Sequence, residues 1–164
     1  MRYFIIILIL SVNILNANET LDSLVKIHNS NKADTLIIHE IIDKCYLQYV
    51  SNPELSIEII LDILNDESIE LSSYLLTKAY NAIATNYWAK SDFSNSLKYS
   101  QLAEKLASEN EDYPALISSM IQMGLSYANI NNLDKSLLFH KKALSLIIET
   151  NDTFSLSNTY GNIG

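Results

Sequence analysis

Few of the 164 residues are of the types that chemistry usually needs. The histidines are His28, His39 and His140, and the single cysteine is Cys45. His39 and Glu40 are adjacent, so a helix turns them to different faces. No His-Glu-x-x-His string is present to bind zinc. His39 and Cys45 could serve as base and nucleophile, but six positions apart on one helix they diverge by about 120°. The glycines, Gly124, Gly161 and Gly164, all fall in helical patterns, so no glycine-rich phosphate loop exists. The acidic strings Glu109-Asn110-Glu111-Asp112 and Asp66-Glu67 lack the alternation of a calcium loop and read as solvated turns. A lone cysteine cannot form an internal disulfide. Cys45 lies on the apolar side of its helix, where a buried thiol is the common outcome. The expectation is no enzyme, no cofactor and no metal, which leaves binding.

The elements that would position a binding surface repeat every 40 residues. Ala84, Gly124 and Gly164 fall on that spacing, as do Ile83, Met123 and Ile163, and Leu76, Leu116 and Leu156. Tyr87 matches Tyr127, Ser96 matches Ser136, Leu97 matches Leu137, Ala103 matches Ala143 and Leu106 matches Leu146. A period of this length marks stacked units, each burying the apolar face that its neighbour cannot bury alone. Within one period, Ile117, Met120, Ile121, Met123, Gly124, Tyr127 and Ala128 follow the three-and-four spacing of a helix face. Asn131-Asn132 breaks the run, Asp134 supplies a carboxylate near the next start, and a second helix carries Leu137, Leu138, Phe139, Ala143, Leu144, Ile147 and Ile148. The preceding unit reads the same way, with Asp92 as N-cap between its helices and Pro114 suiting the first turn of the helix that follows. Gly124 costs a helix about 1 kcal/mol against alanine, so its presence predicts a neighbouring helix in close approach. Ala84, Ala103 and Ala143 are the same device.

The segments Met123-Gly124-Leu125-Ser126-Tyr127, Asn132-Leu133-Asp134-Lys135-Ser136-Leu137 and Lys142-Ala143-Leu144 resemble a tetratricopeptide repeat of the long, 40-residue kind found in bacterial regulators. Ser96 and Ser136 stand where that family usually has alanine, and Ser100 and His140 where it usually has a large aromatic. His140 is thus expected as a partly buried replacement for a ring. The resemblance implies an all-α fold, a right-handed solenoid of antiparallel helical hairpins. Units are expected at about 34–68, 70–110 and 113–150, with an incomplete one at 154–164. The first is degenerate: Asn52-Pro53-Glu54 replaces the inter-helix turn, its first helix runs over about 34–49, and Lys44 sits where the small residue should be.

First helices of such hairpins line the concave face. By resemblance the positions pointing there are Lys78, Asn81, Thr85 and Trp88 in one unit and Ser118, Ile121, Leu125 and Asn129 in the next. They suit a protein partner, an extended peptide or a helix. The clamp by which some family members hold a C-terminal carboxylate is not reproduced, because Ser118 and Gln122 replace its supporting basic residues.

The segment 1–17 reads as a signal peptide: Met1-Arg2 is short and positive, and an unbroken apolar run covers 3–10. It is short for a membrane span. Ala17 fits the last residue before cleavage, although Leu15 is large for its place; an uncleaved anchor is the alternative. Residues 18–33 read as a short helix and linker. At the other end, Leu156, Tyr160 and Ile163 begin a helix with no second helix to pack on. The expectation is the front piece of a longer protein; the alternative is a short product whose last helix docks on a partner. The net charge is −8, and no face collects lysine and arginine, which argues against nucleic acid.

Two readings follow. One is an exported, periplasmic helical-repeat binding domain without activity, ending in a capping helix. The other is the input region of a signalling enzyme. Leu21-Asp22-Ser23-Leu24, Asp34-Thr35 and Asn52-Pro53-Glu54 ahead of the repeats resemble the layout of certain bacterial two-component sensor histidine kinases and helix-turn-helix regulators. That resemblance implies more repeats, a membrane helix and an output domain downstream. Self-association through the unfinished fourth unit is a third reading, and it predicts a concentration-dependent dimer.

Overall fold

The computed structural model describes Val25, Lys26 and residues 34–151. The signal segment 1–17, most of 18–33 with His28, and the partial unit 154–164 lie outside the described residues. Six helices fill the described chain: α1 (Thr35–Leu47), α2 (Pro53–Asn65), α3 (Ser73–Ala89), α4 (Phe93–Glu109), α5 (Tyr113–Asn129) and α6 (Leu133–Thr150). No strand occurs among the described residues, which are all-α.

The helices start where side chains can satisfy free backbone donors. Asn52, Asp92 and Asn132, spaced at 40, accept from the N–H groups of Leu55, Asn95 and Lys135. Ser72 and Asp112 do the same for Leu75 and Ala115, and Asp34 for Leu36 and Ile37. Pro53 and Pro114 sit in first turns, where proline costs no hydrogen bond. Asp112, expected in a solvated turn, is a helix cap. Asp134 lies inside the first turn of α6, and the cap is Asn132. Stops recur as well. Ser91, Glu111 and Asn131 take left-handed φ of 61°, 55° and 60°. The N–H groups of Asp92, Asp112 and Asn132 then reach back to the carbonyls of Tyr87, Ala107 and Tyr127, each at 2.9 Å. This double turn satisfies carbonyls that a helix end leaves open.

Each helix packs on the next, and α3 also packs on α1 and α5. Ile38, Ile41, Ile42 and Cys45 of α1 meet Ile60 and Ile63 of α2 and Ala79, Ala82 and Ile83 of α3 in one core cluster. Each fully buried isoleucine contributes about 1.5–3 kcal/mol. The buried faces of α3 and α5 match at 40 residues: Ala79 with Ser119, Ile83 with Met123, Asn86 with Ser126. Those of α1 and α3 match at 41: Ile38 with Ala79, Ile42 with Ile83, Cys45 with Asn86. A longer connection, 48–52 against 90–92, absorbs the slip. Lys44 therefore does not occupy the place of Ala84. Asp43 does. Helix α1 also ends at Leu47, two residues short of the expected 49.

Paired rings carry the period into the packing. Tyr87 stacks on Tyr99 with centroids 5.6 Å apart, and 40 residues later Tyr127 stacks on Phe139 at 5.5 Å. The aromatics expected at 100 and 140 thus stand one position earlier. At Gly124 the close neighbour is a side chain of α6 rather than the helix backbone expected there. A Cβ there would lie 2.5–2.8 Å from three atoms of the His140 ring, which is itself fully buried.

Candidate functional site

Helices α1 and α3 each offer two residues four apart on one face. His39 and Asp43 come from α1, Tyr74 and Lys78 from α3. The Lys78 ammonium donates to Asp43 Oδ1 at 2.7 Å and lies 3.0 Å from His39 Nε2. His39 Nδ1 is 3.3 Å from Asp43 Oδ2. A neutral imidazole protonated on Nδ1 fits all three contacts, donating to the carboxylate and accepting from the lysine. The ring stacks on Tyr74 at 5.9 Å, and Lys78 Nζ lies 5.6 Å from the Tyr74 centroid. The Asp43 side chain is 45% exposed, so this pair contributes at most about 1 kcal/mol to stability.

The cluster edges a pocket of about 280 Å³ between α1, α3 and the start of α5. Ile42, Pro114 and Ala115 form its apolar part. Asp43 and Tyr46 face it from α1, Tyr74, Lys78 and Asn81 from α3, and Asp112 and Ser118 from α5 and its cap. Asn81 also ties two of the walls together, donating from Nδ2 to the Ala115 carbonyl at 3.2 Å.

Of the eight residues expected at a binding face, Lys78, Asn81 and Ser118 meet here. The other five do not line this pocket. Thr85 turns into the packing, donating to Gln122 Oε1 at 3.2 Å; Gln122 Nε2 continues to Ser96 Oγ at 3.4 Å, and Ser96 pairs with Ser126 at 2.8 Å. Trp88 is half-buried, with its indole N–H enclosed and without an acceptor among the described residues. Ile121 and Leu125 are half-buried. Asn129 is exposed and bonds the Leu125 carbonyl of its own helix at 2.9 Å.

Asp43, Tyr46 and Tyr74 carry no expectation from the sequence, Asp112 is expected only as part of a solvated turn, and His39 only as an implausible partner of Cys45. The signal available was the i, i+4 pairing of His39 with Asp43 and of Tyr74 with Lys78. What sequence alone could not supply was the 41-residue register that brings the two pairs together.

Cys45 is fully buried, and burial pushes its thiol pKa up to about 12, so no thiolate forms near neutrality. It lies in the core cluster, away from the half-exposed His39. His140 is buried without a partner for Nδ1, and burial holds its pKa below the ordinary value. No group of residues that could hold a metal ion occurs among the described residues. No described helix is long and apolar enough to cross a membrane. No family model, curated protein or solved structure matches the chain.

Proposed function

We propose that this chain is a non-catalytic, tetratricopeptide-like solenoid that binds a protein or peptide through the first helices of its hairpins. The observation that carries this reading is the pocket walled by α1, α3 and the start of α5, one element from each of three successive hairpins. A site shared between repeats suits an extended ligand that runs across the array. Its lining mixes exposed tyrosines, a lysine, carboxylates and an asparagine. That composition resembles the anchor-and-polar-contact mixture of protein interfaces. Support for the repeat reading comes from the 40-residue recurrence of caps, left-handed stops and stacked rings.

The apolar run at 3–10 supports export. The layout before the repeats supports a role as the input region of a longer sensor histidine kinase or regulator, with ligand binding passed on mechanically. The binding reading is tested by selecting a random peptide display library on the purified chain. Enriched peptides should lose binding to Tyr74→Ala and Asn81→Ala variants that remain folded. Failure to enrich any sequence, or binding indifferent to both substitutions, would count against it. The role in signalling is tested by reading the gene past the codon for Gly164 for further repeats, a membrane span and an output domain.

A further inference from the structure

We propose that the pocket takes the basic side chain, lysine or arginine, of the partner peptide; this rests on the peptide-binding reading above. The argument begins with the charges that face the cavity. Two carboxylates, Asp43 and Asp112, line it against one cation, Lys78. The lysine is committed internally, held by Asp43 and His39 and lying over the Tyr74 ring. Its charge is offset at 2.7 Å, which leaves little to draw an anion. Asp112 differs. One oxygen caps α5 through the Ala115 N–H at 3.2 Å, but the carboxylate has no cation partner among the described residues. Counted by side chains, the pocket carries one more negative than positive charge, offset only in part by the positive end of α5 that Asp112 caps, in a chain whose net charge is −8. That field favours approach of cations.

The aromatic lining points the same way. Tyr46, 44% exposed, lines this pocket, while Tyr74, 52% exposed, already carries the His39 ring and the Lys78 ammonium. Tyrosine faces attract ammonium and guanidinium groups within about 6 Å. Lys78 shows what such a seat looks like here, with carboxylate, imidazole and tyrosine ring together around one ammonium. The volume of about 280 Å³ falls just below the range of roughly 300–1,000 Å³ for sites that hold whole drug-sized ligands. One long side chain with its apolar stem against Ile42, Pro114 and Ala115 fits that space.

The test uses the full chain and three short fluorescein-labelled peptides of alternating residues: alanine with arginine, alanine with glutamine, and alanine with glutamate. Anisotropy at moderate salt should show the arginine peptide bound most tightly. Asp112→Asn keeps the cap, since asparagine caps as well as aspartate. It should weaken that peptide roughly five- to tenfold, as loss of one charge contact does. The double variant Glu58→Gln/Glu109→Gln, which removes two exposed charges outside the pocket, should weaken it less than twofold. Equal weakening by both variants would reveal a general charge effect and overturn the proposal. Preference for the glutamine or glutamate peptide, lost in Tyr74→Ala, would overturn the basic ligand while leaving the peptide-binding site standing. Binding of none of the three peptides, with no peptide enriched from the random library, would overturn both.

Discussion

In the hairpin of α3 and α4, Ala84 and Ser100 are both fully buried. Forty residues on, in the hairpin of α5 and α6, the corresponding pair is Gly124 and His140, and the imidazole fills the space that a Cβ on residue 124 would need. The first helix gives up a methyl and the second gains a ring. Close packing makes these volumes interdependent, so each residue is tolerable only with its partner. The comparison explains a glycine that helix propensity disfavours and a buried histidine that lacks a partner for Nδ1. It also shows that the period conserves the fit between helices rather than residue identities.

The largest expected effects come from exchanging the pairs. His140→Ser alone leaves a void beside Gly124 and should cost about 2–3 kcal/mol. Gly124→Ala alone drives a methyl into the ring. It should cost about 1–2 kcal/mol, overpacking less the propensity gain. The double variant recreates the Ala84 and Ser100 arrangement and should return to within about 1 kcal/mol of the parent. Urea denaturation of all four chains gives the coupling directly. Simple additivity of the two costs would show that the pair is not one packing unit. In the other hairpin, Ser100→His should be far more damaging alone than together with Ala84→Gly.

Acid separates the two hairpins further. Burial lowers the His140 pKa in the folded chain from an ordinary value of 6.5. Between that value and the lower folded pKa, the unfolded chain binds a proton that the folded chain does not. Stability attached to the neutral ring is therefore complete above about pH 6.5 and falls as pH drops through the folded pKa. Ser100, at the same place in α4, has no such group. Denaturation midpoints measured from pH 7 downward should fall less steeply for the Gly124→Ala/His140→Ser chain than for the parent. Parallel slopes would assign the acid sensitivity elsewhere.

The helices were legible because their apolar spacing, caps and small residues all sit on one period. Asp92, Asn52, Pro53 and Pro114 could be placed at helix starts before any coordinates, because those residue types satisfy or tolerate free N–H groups. Asp112 lies in the turn that its acidic string suggests, and what the string does not reveal is that its side chain also caps α5. The pocket was only partly legible. Lys78, Asn81 and Ser118 are placed on the first helices by the family resemblance, but their neighbours from α1 are not. The connection 48–52 is two residues longer than 90–92 while α1 ends one position earlier than α3, a net shift of one, so counting by 40 aims at Lys44 when the residue in register is Asp43. Thr85 is half-buried and bonds Gln122, a contact that a threonine on a helix does not announce in sequence.

Smaller effects are expected at the turns. Ser91 and Asn131 occupy equivalent left-handed positions, as Glu111 and Asn151 do. Asparagine tolerates this conformation better than serine or glutamate. Ser91→Gly and Glu111→Gly should each stabilise by about 0.4–1 kcal/mol, and Asn131→Gly by less. Thermal denaturation of the single variants ranks them, and a larger gain at 131 than at 91 would contradict the strain argument.

The least change is expected where the hairpins differ in name but not in geometry. Asp92 caps α4 and Asn132 caps α6, each through a side-chain oxygen, at 3.1 Å to the Asn95 N–H and 3.2 Å to the Lys135 N–H. The Asp92 carboxylate also accepts from the Asn95 side chain at 2.7 Å, and these two bonds hold its pKa below the ordinary value. Asp92→Asn should therefore cost less than alanine near neutrality, because the cap oxygen survives while the charge and the acceptor for the Asn95 side chain are lost. Asn132→Asp should be neutral or slightly stabilising, since a carboxylate suits the positive end of α6. Alanine at either position removes the acceptor and should cost about 1 kcal/mol. If Asp92→Asn cost as much as Asp92→Ala, charge rather than cap geometry would be what holds the start of α4, and the two hairpins would differ at their turns as they do at their centres.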